Sequence, residues 1–149
     1  MVTTSTVHDE RVAEAAARLR LAIVRTARRM RQEAGGELSP TLLAALASID
    51  RLGPLTPSEL ADVERVKRPT ATRVAAALER EGLISRAIDP SDGRASLLSV
   101  SPEGRALIKR LRKRKNAYLQ KRIRPMGEEE IEALERAAEI LERMLEDSS

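Results

Sequence analysis

The sequence contains no cysteine, no phenylalanine and no tryptophan, and it carries one histidine and one tyrosine in 149 residues. Each absence removes a class of chemistry. Without cysteine there is no disulfide framework, no thiolate zinc site and no thiol-based redox sensing. The single histidine, His8, stands in a Thr/Ser-rich N-terminal stretch with no second ligand near it, so frayed chain is expected there rather than a metal site. With Tyr118 the only aromatic residue, the core has to come from Leu, Ile, Val, Ala and Met. That composition favours helices packed at close range over a sheet rich in aromatic and β-branched residues. No run of 18 apolar residues occurs, and the N-terminus lacks the basic-then-apolar order of a secretion signal. A soluble, cytoplasmic protein with no membrane partner is expected. No Gly-rich phosphate loop is present either. No cofactor is implied, and the chain does not read as an enzyme.

What is abundant is charge. Lys and Arg number 27 against 23 acidic residues, giving a net charge of +4. So small an excess says little by itself, because polyanion binding depends on clustering. Here the charges cluster by helix.

The stretch Lys67–Gly82 reads as one short helix with two faces. Ala71, Val74, Ala75 and Leu78 recur at i, i+3, i+4 and i+7, a narrow apolar stripe for docking on a core. At 100° per residue the opposite side carries Pro69, Arg73, Ala76 and Arg80, flanked by Thr70 and Thr72. Pro69 suits the first turn and Gly82 the position just past the end. Lys67, Arg68, Thr70, Thr72 and Arg73 thus offer cations and hydroxyls on one exposed end, able to reach base edges and phosphates in a groove. On an isolated helix the same residues would be an ordinary solvated face, so the neighbours decide.

Before it, Thr56-Pro57-Ser58-Glu59 has the form of a capping box, with Pro57 in the first turn. A short helix from Pro57 to Val63 follows, packing through Leu60 and Val63, and Glu64-Arg65-Val66 makes a tight turn. Two short helices so joined form a helix-turn-helix pattern. Pro57 and Ser58 would then stand near phosphate at a helix N-terminus. After it, 83–88 and 95–100 read as strands around Asp89-Pro90-Ser91-Asp92-Gly93-Arg94, where Pro and Asp-Gly are turn formers. This is a hairpin with arginine at its tip. Arg94 is suited to a narrow minor groove, Asp92 to orienting it by an ion pair, and Arg86 to the wing strand.

A long helix is expected from Asp9 to Ala34, with Val12, Leu19, Ile23, Ala27 and Met30 at helical spacing, after a loose tail over residues 1–8. A second helix, Thr41 to Leu52, is opened by Ser39-Pro40 and supplies Leu42, Leu43, Leu46, Ala47 and Ile49 to the core. Ser101-Pro102 opens a fifth helix. Its stretch from Arg105 to Arg124 has ten basic residues and no acid, with Ile123 among its apolar positions. The last helix, Glu128 to Asp147, inverts that charge. The basic helix either lies on nucleic acid or pairs with the acidic one; pairing is favoured, since sequential helices across a tight break are antiparallel neighbours. Ile131, Leu134, Ala138, Leu141 and Leu145 fall at the spacing of a coiled-coil seam, beside a second apolar stripe. A helix apolar on two flanks has more to bury than one neighbour covers, so packing between subunits is expected, with Val12 and Leu19 contributing from the other end. A monomer with an internally folded hairpin is the alternative.

The order of elements resembles the MarR (multiple antibiotic resistance regulator) family of winged-helix transcription factors, from about Glu10 to Glu146. The matching residues include Leu38-Ser39-Pro40, Gly53-Pro54-Leu55-Thr56, Thr70-Ala71-Thr72-Arg73, Leu78-Glu79-Arg80-Glu81-Gly82-Leu83-Ile84, Asp92-Gly93-Arg94 and Leu98-Ser99-Val100-Ser101-Pro102-Glu103-Gly104. Ser101 replaces the threonine usual in the family and keeps a capping hydroxyl. The resemblance implies a mainly α fold with a small β-wing (α+β). Residues 1–36 would be a dimerisation helix with its tail, 37–102 a winged helix-turn-helix lobe, and 103–149 a C-terminal helical hairpin for dimerisation. It implies a homodimer on double-stranded DNA, with recognition helices in successive major grooves and wings in the flanking minor grooves. Members commonly repress transcription and release DNA when a small, often phenolic, effector binds. In this chain the absence of Phe and Trp leaves few stacking partners for such a ligand. A rival reading from another class is a winged-helix module that binds protein and has no preference for any duplex.

Overall fold

A computed structural model describes residues 3–91, 93 and 96–146. In chain order it contains α1 (Thr3–Ala34), α2 (Pro40–Leu52), α3 (Pro57–Glu64), α4 (Arg68–Arg80), β1 (Ile84–Ile88), β2 (Ser96–Val100), α5 (Pro102–Ile123) and α6 (Glu128–Glu146). Helix α1 begins at Thr3, not at Asp9, so the expected tail is helical over the described residues. The reason is local: no Gly or Pro interrupts the chain before Gly35, and Thr and Ser lower helix propensity only slightly.

The lobe between α1 and α5 forms as its caps dictate. Ser39 accepts from the Leu42 amide to start α2. Thr56 and Glu59 make the reciprocal capping box of α3, at 3.1 and 3.2 Å. Gly82 takes a left-handed conformation (φ +73°) after α4, and the Leu83 amide closes back on the Leu78 carbonyl, which lets the chain leave the helix straight into β1. Strands β1 and β2 pair antiparallel, Ile84 opposite Val100 and Ile88 opposite Ser96. Leu55 adds a single isolated bridge to Leu98 through two backbone hydrogen bonds, which the sequence pattern does not announce.

The core is aliphatic, as the missing aromatics require. Leu46, Ile49, Leu60, Leu78 and Leu98 are its largest fully buried side chains, with Ala45, Ala61, Ala71 and Ala75 between them. Alanine at those points lets α2, α3 and α4 approach closely. Two expected core positions lie outside it. Val63 and Ala47 are exposed, and Ala61 and Ala45 take their places, because the buried arc of each helix lies to the other side of Leu60 and Leu46.

Ser101 fastens α5 to the wing. Its hydroxyl donates to the Gly82 carbonyl at 2.6 Å and accepts from the Gly104 amide at 3.0 Å. A Cβ at Gly104 would overlap the Leu83 carbonyl oxygen and stand 3.0 Å from Val100 Cγ2. Gly104→Ala is therefore expected to destabilise the lobe by about 1–3 kcal/mol, as overpacking does. A lowered thermal midpoint measures it; an unchanged one would show that α5 can slide off the wing at no cost.

The pairing of α5 with α6 is not found. Helix α5 packs along α1 and against the lobe, whereas among the described residues α6 makes no extended contact with any other element. The cause is where α5 spends its apolar side chains: Leu107, Ile108 and Leu111 are buried in the lobe core. Its cations reach elsewhere too, Arg105 to Asp50 at 3.6 Å and Arg110 to Glu37 at 3.0 Å. Arg114 donates to the Ala34 carbonyl at 2.8 Å and so caps the end of α1.

Candidate nucleic-acid interface

The two helices of the motif are joined by a turn of three residues. Arg65 adopts the left-handed conformation (φ 54°) and the Val66 amide returns to the Ala61 carbonyl at 3.0 Å. A six-to-one hydrogen bond of this kind reverses the chain within one residue. It sends Lys67 outward and starts α4 at Arg68 with Pro69 in its first turn.

Helix α4 then shows the two faces expected of it. Ala71, Ala75 and Leu78 are buried and Val74 is half-buried, while Arg68, Pro69, Thr72, Arg73, Ala76 and Arg80 are exposed and Thr70 lies at the edge. The Thr72 hydroxyl donates to the Arg68 carbonyl at 3.0 Å, which leaves its oxygen lone pairs facing outward as acceptors. Among the described residues, no carboxylate pairs with Lys67, Arg68 or Arg73. Three cations with no counter-ion among the described residues are thereby gathered at one exposed end of a helix. Ser58, exposed, and Pro57, half-buried, sit in the first turn of α3.

The wing places its residues differently. Arg86 Nε lies 2.9 Å from Glu79 Oε2, so this guanidinium links β1 to α4 and orients the hairpin on that helix. Asp89 accepts from both the amide and the hydroxyl of Ser91, at 2.9 and 2.8 Å, which begins the tip. Asp92 and Arg94, expected at the tip, lie outside the described residues. Nothing in the spacing of Glu79 and Arg86 announces their link; opposite charges on a helix and on the strand that follows it are its only signal.

At the other end of the molecule apolar side chains are exposed. On α1 they include Val12 and Leu19, and on α6 Leu134, Ala138 and Leu145; Ile131 and Leu141 are half-buried, as is Ile123 at the end of α5. Between this end and the lobe, where α1, α2 and α5 meet, lies a cleft of about 420 Å³. Leu38, Leu43 and Leu111 give it an apolar floor, and Arg28, Arg31 and Lys115 line it with positive charge. No pattern in the sequence identifies this cleft, because its three cations come from two helices far apart in the chain.

The geometry of α3, α4 and the hairpin defines the class: a winged helix-turn-helix DNA-binding protein. Residues 38–96 match the model of the MarR family. A helix-turn-helix-type transcriptional regulator of Mycobacterium tuberculosis is 35% identical over 137 residues, covering 91% of this chain and 96% of the relative. A transcriptional regulator of Pseudomonas aeruginosa with a solved structure superposes with a TM-score of 0.82 at 34% identity, over 91% of this chain and 96% of that one. Streptococcus pneumoniae FabT, solved in complex with DNA, shares the fold with a TM-score of 0.69 at 24% identity, over 94% and 99% of the two chains. The chain belongs to the MarR family of transcriptional regulators, whose members are non-enzymatic DNA-binding proteins. No described helix is long and apolar enough to cross a membrane.

Proposed function

We propose that the protein is a homodimeric repressor that binds an inverted-repeat operator and is released from it by a small organic anion. The observation that carries this reading is the set of cations at the start of α4, Lys67, Arg68 and Arg73, beside the hydroxyls of Thr70 and Thr72. Arg68, Pro69, Thr70, Thr72 and Arg73 enter the major groove, and Ser58 with Pro57 meets phosphate at the start of α3. Arg94 enters the minor groove with Asp92 orienting it, while Arg86 braces the strand behind them.

The exposed apolar faces of α1 and α6 support a dimer. Contiguous exposed apolar surface of this kind is normally an interface, and two-fold packing is the commonest way to cover it. A two-fold dimer spaces its recognition helices by about one DNA turn, roughly 34 Å, hence the inverted repeat. The cleft beside α1, α2 and α5 supports the release step. It joins the helices that would form the dimer to the lobe that holds DNA, and its Arg28, Arg31 and Lys115 suit an anionic ligand with an apolar body.

Selection of bound fragments from random duplexes, repeated with candidate organic acids present, tests the reading. Enrichment of one inverted repeat, abolished on addition of an acid, supports it; recovery of random sequence rejects it. The affinity for the selected duplex should fall at least about a thousandfold between roughly 50 and 200 mM salt, because several phosphates are neutralised. A flat response would remove the electrostatic basis assigned to α4.

A further inference from the structure

Behind the recognition helix, on the side away from its exposed face, lies a second cleft of about 320 Å³ between α2, α3 and α4. It shares only Pro40 with the cleft beside α1. Its walls are apolar, from Ala44, Leu60, Val66 and Val74, and Thr70 stands at the edge. Among the described residues, Glu64 is the only ionisable side chain that lines it.

We propose that this cleft is a binding site for a compact apolar ammonium ion, of the arylalkylamine class, and that its occupancy shifts the first turn of α4. Three observations carry the proposal. The first is space. Pro40, Thr41 and Ala44 of α2 line the cleft with short side chains, above the point where the buried Ala45 and Ala71 bring α2 and α4 together. Nothing larger than Leu60 and Glu64 lines the space above that contact, and a volume at the low end of the ligand-site range suits a single ring with a short chain.

The second is charge. Glu64 is half-buried in this apolar wall, and among the described residues no Lys, Arg or His pairs with it. A carboxylate partly withdrawn from water favours a cation that reaches it. The cleft beside α1 has the opposite character, with three cations and no acid among the described residues that line it, so the two sites select opposite charges.

The third is orientation. The buried Ser48 hydroxyl of α2 donates to Glu64 Oε1. That bond holds the carboxylate against α2 and leaves Oε2 for a ligand. Thr70 and Ala71, which flank the cleft, stand in the same turns of α4 as Arg68, Thr72 and Arg73. A ring seated between α2 and α4 therefore moves the DNA-contacting end directly.

Isothermal titration of the full chain without DNA tests the site, with phenethylamine as probe and ethylbenzene and phenylacetate as its neutral and anionic counterparts. Phenethylamine should bind one site per chain. Glu64→Gln should weaken it by roughly tenfold or more, and Ala44→Leu, which fills the cleft from an exposed position of α2, should abolish it. Phenylacetate should not compete. Absence of binding, equal binding of ethylbenzene, or binding retained in both variants overturns the assignment. Thermal unfolding of both variants, matched to the parent, shows that any loss is local. In a second arm, saturating phenethylamine should weaken binding to the selected duplex by roughly tenfold in the parent and not in Glu64→Gln. Unchanged affinity in the parent overturns the coupling to α4. Because the first arm contains no DNA, its outcome is independent of the operator reading.

Discussion

Replacing Leu134 and Leu145 together by glutamate is expected to convert the protein to monomers and to lower its operator affinity by roughly 10²- to 10⁴-fold. That range is the advantage a second, linked binding event confers. The two leucines are chosen because neither belongs to the lobe core. They are 43% and 77% exposed, and among the described residues α6 makes no extended contact with another element of its own protomer. Their substitution removes nothing from the lobe core, so the melting behaviour of the lobe should persist. The cost falls wholly on whatever covers α6. Carboxylates placed on that seam would be buried without a counter-ion in a dimer and solvated in a monomer. The existing acids of α6, Glu128 to Glu130 in its first turn, add to the repulsion. Sedimentation equilibrium and a gel-shift titration on the selected duplex measure the two effects. A variant that stays dimeric places the interface elsewhere.

Arg68→Ala and Arg73→Ala are each expected to cost about 1–3 kcal/mol of binding where the guanidinium meets a base, and each acts twice on a two-fold complex. The pair can be sorted by what else changes. A guanidinium on phosphate weakens every duplex alike when it is removed, and the salt slope falls by about 0.9 for each phosphate no longer neutralised. A guanidinium on a base edge leaves that slope in place and relaxes preference at one position of each half-site. Arg80→Ala supplies the control. It lies on the same exposed face in the last turn of α4, beyond the end that the turn at Arg65 directs outward, and should leave affinity nearly unchanged. If Arg80→Ala costs as much as Arg73→Ala, α4 lies along the groove rather than entering by its first turns.

The lobe and one face of its site are legible in the sequence because the signals there are local. Thr56 and Glu59 are three residues apart, and a capping box needs nothing beyond its own turn of helix. Gly82 marks the end of α4 because the position needs positive φ. The exposed side of α4 follows from helical geometry once Ala71, Val74, Ala75 and Leu78 are assigned to the core. Where expectation and structure part, the deciding contact is remote. Val63 and Ala61 are two residues apart, and only the placement of α2 and α4 decides which is covered. The Arg86–Glu79 link, and the attachment of Arg110 and Arg114 to Glu37, join residues that no spacing rule connects.

By itself the sequence determined the capped starts of α2, α3 and α5, the two faces of α4, the hairpin after it and an aliphatic core, though not the start of α1. All of these follow from periodicity, capping and the absence of aromatics. It also showed that α6 is apolar on two flanks. What the tertiary structure decided is how that surplus is left. With α5 turned into the lobe and its cations drawn to Asp50, Glu37 and the end of α1, no helix of the described chain lies along α6. The same packing opened two clefts of opposite charge, one lined by Arg28, Arg31 and Lys115 and the other by Glu64. A cavity is the space several elements fail to fill together, so no single stretch of sequence encodes it.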